Sequence, residues 1–464
     1  MQTVCDIAVD IIDDDMLIGD SLRILNKNFQ LLNDITCGID NTITIIPMNL
    51  NSITSLSGVN GISIEKSANM GVLTVSQTLC DPWHVGKTKK PLYTETDTNR
   101  MSYQFVQPEN YIKYLQFITS QNVPIPGNEK ITSIPTGITF TGKRHSDVVT
   151  LGDGRIFFVP SAFPKGVIFD PLTEQVFVTP NNIGTGFVSG CLLPDGRVCM
   201  VPGQNKYITF WDPRTGNVSK SSVDLSIIGY TQPYNGGVLL GDGQIMLIPY
   251  ERNDGTLIYD PVTDTVHDLM SSLFTSPNGK SFHRGQLVHD GTYVIFTPYN
   301  STYSLRVETD YPYDVYKLDA LGAPFIGNGA YSDAVLLPDG KVFFVPYNAT
   351  TGVVYDPVKD KYTAVGGIFP GNNSYLDGFL LSDGRVCMPP YGASNIAFYD
   401  PKTNTTLFSS NVGGLSLKYC SGTMLENGDA IIAPCMESDI LRLSIGVQAT
   451  FSRTLLTGPL YSGY

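Results

Sequence analysis

The stretches CLLPDGRVCMVP (Cys191–Pro202) and FLLSDGRVCMPP (Phe379–Pro390) are almost the same words written twice in one chain. Aligned on their Asp-Gly pair, the chain repeats the frame at Gly154, Gly196, Gly243, Gly291, Gly340, Gly384 and Gly428, at spacings of 42, 47, 48, 49, 44 and 44 residues. Periods of about 40 to 50 residues are those of propeller blades. An Asp-Gly pair between alternating apolar stretches predicts a tight hairpin, and a type I′ turn would put both central residues at positive φ. Five copies continue into an aromatic-Asp-Pro turn: FDPLT from 169, WDPRT from 211, YDPVT from 259, YDPVK from 355 and YDPKT from 399. Its proline presets φ. Copies four and seven lack this turn and read as degenerate there. Two hairpins make a four-stranded antiparallel blade, so the fold class expected is mainly β, a seven-bladed β-propeller over 143–446.

Two columns of the alignment support the frame without having been used to find it. Six residues before each turn glycine stand Val148, Gly190, Gly237, Gly285, Ala334, Gly378 and Gly422. Small residues are expected where seven innermost strands crowd toward an axis. Nine residues before the glycine stand His145, Phe187, Tyr234, Phe282, Tyr331, Tyr375 and Tyr419, rings suited to filling the wedge between blades.

Composition narrows the function classes. Charged residues are 16% of 464, and Lys+Arg 30 against Asp+Glu 43 leaves −13, so no field exists to draw in nucleic acid or an anionic membrane. No run reaches the roughly 18 apolar residues of a spanning helix, and MQTVCDIAVDIIDDD lacks the regions of a secretory signal. Eight cysteines without a CxxC pair read as reduced and structural, which suits folding in a cytoplasm.

VLLPDGKVFFVP…GVVYDPVKDKY (335 to 362) resembles the kelch and galactose-oxidase type of propeller repeat. It departs from that pattern in having residue-Pro, as at Val345-Pro346, in place of Gly-Gly, and no Trp after the Asp-Pro turn. Ahead of the ring, Ile18, Leu22, Leu25, Phe29 and Leu32 follow the spacing of a coiled-coil seam, cappable by Asp20 or Ser21. IGDSLRILNKNFQLLND (18 to 34) resembles a segment near the start of many tail-fibre and other virion proteins of large DNA phages and viruses. That resemblance implies chain association, by analogy a homotrimer, and attachment to a particle.

The expected organisation is an anchoring and oligomerisation helix over 1–40, a small β-module over 41–80, a connecting region over 81–142 with a helix at 108–122 and a stiff linker at 123–135, the ring, and a tail over 447–464. The tail supplies either a closing strand or a docking segment.

Converging reactive groups are few. The five histidines (84, 145, 267, 283, 289) include no pair at metal-ligand spacing, no sialidase Ser-x-Asp box occurs, and no cofactor or metal is expected. Seven residues before the turn glycines stand Asp147, Ser189, Gly236, Arg284, Asp333, Asp377 and Ser421, a column beside the channel. Its carboxylates can bind a cation or share a proton, or can accept backbone N–H bonds from the next blade. Tyr250, Tyr299, Tyr347 and Tyr391 each follow a proline in successive blades, on the same face. They can stack on sugars or a protein partner, or fold down between blades.

The function expected is a non-enzymatic virion structural protein, a tail fibre, spike or capsid decoration. It would be made in the host cytoplasm and would contact other virion proteins and a host-surface glycan or receptor. The alternatives are a carbohydrate-active lyase or hydrolase using Asp333 and Asp377, and a cytosolic kelch-type interaction scaffold.

Overall fold

The computed structural model describes residues 129–226, 230–274, 279–288, 291–318, 328–425 and 428–445, and the backbone of three strands nearer the N-terminus. Those three, Thr42–Ile45, Ile62–Lys66 and Leu73–Gln77, form an antiparallel sheet with Leu73–Gln77 in the middle. The rest of 41–80, the helices expected at 18–34 and 108–122, and the tail from 446 lie outside the described residues. From Lys130 to Ser444 the chain makes seven four-stranded antiparallel sheets, the seven-bladed propeller that the repeat predicts.

Each blade starts at the axis. The innermost strands are His145–Thr150, Phe187–Leu192, Tyr234–Leu239, Phe282–Val288, Tyr331–Leu336, Phe379–Leu380 and Tyr419–Met424. The Asp-Gly hairpins that follow differ in detail from the expectation. Only the glycine is left-handed, with φ of 80 to 89° at all seven positions, while Asp153, Asp195, Asp242, Asp339 and Asp383 keep negative φ. The Gly154 N–H donates to the Leu151 carbonyl and the Leu151 N–H to the Arg155 carbonyl, the bonding of a three-residue loop closed by a glycine bulge. The aspartate has a different task from the one type I′ would give it: Asp153 Oδ1 accepts the Arg155 N–H at 3.1 Å, and the other four repeat this bond.

The small-residue column works between blades and not at the axis. A Cβ on Gly190 would lie 2.7 Å from Cγ2 of Val159, on the second strand of the preceding blade. Gly237 meets Val201, Gly285 meets Ile248 and Gly378 meets Val345 at the same 2.7 Å. The partner is each time the residue before the proline that ends a second strand, so residue-Pro puts an aliphatic knob where the next blade has no side chain. At the junction of blades seven and one the sizes exchange: Val148 is the large residue and Ala433 the small one, both in the same buried cluster.

Each of those prolines pairs with the aromatic residue of its own inner strand, from His145↔Pro160 round to Tyr419↔Pro434. All seven rings are buried. In six blades the register slips beside this pair, where a residue without an N–H costs no ladder bond.

A belt of backbone bonds runs round this end of the ring. The N–H after each proline donates to the carbonyl before the aromatic of its own blade, as from Tyr299 to Ser281 at 3.0 Å. The N–H before the aromatic donates to the post-proline carbonyl of the preceding blade, as from Ala330 to Tyr299 at 3.0 Å. The second bond is missing only between blades two and three, where the residue before the aromatic is Pro233.

Closure comes from the residues expected to form a linker. Lys130–Pro135 pairs antiparallel with Asp439–Ser444, in register from Lys130↔Ser444 to Pro135↔Asp439, as the outer strand of blade seven. Copy seven lacks the aromatic-Asp-Pro turn because its fourth strand arrives from the other end of the chain and needs no hairpin. The ring therefore begins at 130 and not at 143. Glu129 adds a latch to the buried Arg385 of blade six, whose guanidinium also meets Asp383 at 2.8 Å.

Two outcomes follow from this packing. Gly190→Val should lower the urea-unfolding free energy by about 1–3 kcal/mol, and adding Val159→Ala should recover part of that loss. A chain beginning at 129 should melt near the parent temperature in calorimetry, whereas one beginning at 137 should melt several degrees lower and self-associate through the bared 439–444 edge.

Candidate binding site at the channel mouth

The column seven residues before the turn glycines converges as the alignment predicts. The new feature is how it is used. Arg284 of blade four reaches across the axis, with Nη1 3.4 Å from Asp147 Oδ1 in blade one and 3.5 Å from Asp377 Oδ1 in blade six. Its Nη2 donates to the Ser146 carbonyl at 3.3 Å. The guanidinium thus bars the channel at this level.

Asp147 also accepts the N–H of Gly190 in the next blade at 3.2 Å and the Ser421 hydroxyl at 2.9 Å. Asp333 accepts the Gly378 N–H at 3.2 Å, again from blade to next blade, and shares a hydrogen bond with Asp377. These are the contacts of carboxylates that fasten neighbouring blades. Among the described residues no group of three or more His, Cys, Asp or Glu is placed to hold a metal ion.

Electrostatics follows from burial. Burial raises the Asp147 carboxyl, opposed by Arg284. Asp333 is pushed well above the carboxylate range by burial, then by the hydrogen bond and charge of Asp377. Burial alone would lower the Arg284 guanidinium, yet the carboxylates of Asp147, Asp377 and Asp333 hold it above its ordinary value.

Above this floor, Tyr250, Tyr299, Tyr347 and Tyr391 form one continuous arc over blades three to six. Successive ring centroids are 5.6, 5.7 and 6.3 Å apart. The first three are half-buried and Tyr391 is buried, so the arc has sunk partly between blades while keeping three rings at the surface. Burial raises all four hydroxyls, which stay protonated. The other three blades carry Ser161, Gly203 and Cys435 in place of tyrosine, which leaves the mouth lopsided.

Three residues of the mouth were not among the binding residues predicted from the sequence. His283 stacks on Tyr299 at 5.3 Å and meets the Ser332 carbonyl through Nδ1 at 2.7 Å. Burial and Arg284 lower its pKa to about 3, so it is neutral. Lys280 Nζ lies 5.5 Å from the Tyr250 ring centre and Lys143 Nζ 5.4 Å from that of Tyr391, one at each end of the arc. Both stand two residues before the aromatic of their inner strand, a column of the same alignment that would have found them. The oligomerisation residues Ile18, Leu22, Leu25, Phe29 and Leu32 lie outside the described residues.

No family model matches the sequence, and no curated protein matches it. Solved structures do share the fold. A streptogramin B lyase is 13% identical, with a TM-score of 0.55 over 68% of this chain and 97% of its own. The virginiamycin B lyase of Staphylococcus aureus, in a catalytically inactive variant with quinupristin, is 14% identical, with a TM-score of 0.55 over 68% of this chain and 99% of its own. The extracellular domain of a putative one-component system from B. thetaiotaomicron is 12% identical, with a TM-score of 0.52 over 68% of this chain and 40% of that one. At such identities the likeness is one of fold.

The Asp333 proton sets a pH dependence. With its folded pKa above the unfolded value near 3.8, folding retains a proton that the unfolded chain releases. The resulting stability is complete below that value and is lost as pH rises through the raised folded pKa. Asp333→Asn, which carries that hydrogen permanently, should flatten this decline and be more stable than the parent at neutral pH by about 1–3 kcal/mol, read from urea midpoints between pH 4 and 8.

Proposed function

We propose that this protein is a non-enzymatic virion structural protein, a tail fibre, spike or capsid decoration, whose propeller is displayed to bind a host surface or another protein. The observation that carries the reading is the division of labour at the mouth. The acidic column is spent on fastening blades and on Arg284, while the tyrosine arc above it keeps three half-buried rings at the surface. Tyrosines offer apolar area with a polar tip and lose little side-chain freedom on binding, which suits them to recognition. Catalysis at Asp333 and Asp377 would require freeing carboxylates that are already bonded.

The likeness of 18–34 to virion-protein segments supports the placement in a particle, assembled in the host cytoplasm as a homotrimer. Light scattering on the full chain should give a trimer, and a chain beginning at 41 should give a monomer. The full chain, but not a Tyr299→Ala variant of intact fold, should bind host cells. A monomer in both measurements would remove the oligomeric reading. Turnover of any sugar, abolished by Asp333→Asn with Asp377→Asn, would replace it with the enzymatic one.

A further inference from the structure

The mouth has a charge pattern as well as an aromatic one. Resting on the reading above, we propose that it binds an acidic carbohydrate, a sugar chain bearing carboxylates, laid along the tyrosine arc and held at its ends by Lys143 and Lys280.

Three observations converge. First, the rings of the arc are tilted to one another by 58, 50 and 36°, so the tyrosines do not consume each other's faces, and one face of Tyr299 is covered by His283. Rings with protonated hydroxyls suit the two faces of a sugar, C–H groups against the ring and hydroxyls against the tip.

Second, the lysines are unusually placed for a chain of net charge −13. The guanidiniums of Arg252, Arg306, Arg385 and Arg442 sit on carboxylates, whereas Lys143 and Lys280 sit over aromatic faces, with no carboxylate within 4.0 Å among the described residues. Glu251, next to Tyr250, accepts the N–H groups of Thr231 and Gln232 at 2.9 and 2.8 Å; against burial, these bonds and then the charge of Lys280 lower its carboxyl, without an ion pair between the two side chains. Two ammonium groups outside any ion pair, at the ends of an aromatic arc, select for negative charge on what lies between them.

Third, the acidic floor is muted. Asp147 and Asp377 share the Arg284 guanidinium, and Asp333 shares a hydrogen bond with Asp377. Lys143 of blade one lies over Tyr391 of blade six, past blade seven, where Cys435 stands in place of a tyrosine.

The test is calorimetric titration of the full chain with 3′-sialyllactose and trigalacturonate, against lactose and maltotriose. The acidic sugars should bind, more weakly as salt is raised. Lys143→Gln with Lys280→Gln, both exposed, should cost tenfold or more in affinity, and Tyr299→Ala should weaken binding too. Equal affinity for the neutral sugars, or acidic-sugar binding indifferent to the lysine pair, would overturn the proposal. So would host-cell binding that survives the lysine substitutions while no acidic sugar binds, an outcome that leaves the binding-propeller reading standing. Loss of both sugar and host-cell binding in the parent chain would overturn both.

Discussion

One non-local pairing holds the ring together: Lys130–Pro135 against Asp439–Ser444. It joins segments from the two ends of the propeller, so its entropy of closure is met only after the intervening blades have formed. Without it, blade seven would present an unpaired edge and blades seven and one would have no covalent reason to meet. The mouth inherits this dependence. Arg284 can bridge Asp147 in blade one and Asp377 in blade six only if the circle is complete.

Between blades the contact is steric and repetitive. An aliphatic residue before a proline fills the space over a glycine of the next inner strand, and the backbone belt beside it fixes the angle of one blade against the next. Close packing of this kind has low compressibility and holds its rim rigidly. A rim built that way presents its side chains already ordered, which reduces the entropy lost when a partner binds.

The two rings of residues at the mouth sit at fixed positions of the same repeat yet at different depths. The acidic column lies low, is buried, and satisfies backbone donors of neighbouring blades. The tyrosines lie one strand further out, in the loops after the second strand, three of them half-buried and Tyr391 buried. Depth separates the two sets here, since a carboxylate taken from water must be bonded while a phenol can stay at a surface.

The sequence by itself determined the number of blades, the order of hairpins and the inward columns, because turn chemistry and strand alternation are local and repeat at a readable period. It also placed Tyr250, Tyr299, Tyr347 and Tyr391 on one face with Asp147, Arg284, Asp333 and Asp377. Tertiary structure alone decided what lies across space. It made a strand of Lys130–Pro135, whose partner is at the far end of the chain. It gave the glycine column a neighbour in the preceding blade, sent Arg284 across the axis, and brought Lys143 beside Tyr391. None of these is encoded in a local pattern, because each depends on how far a ring of seven turns the chain before its ends meet.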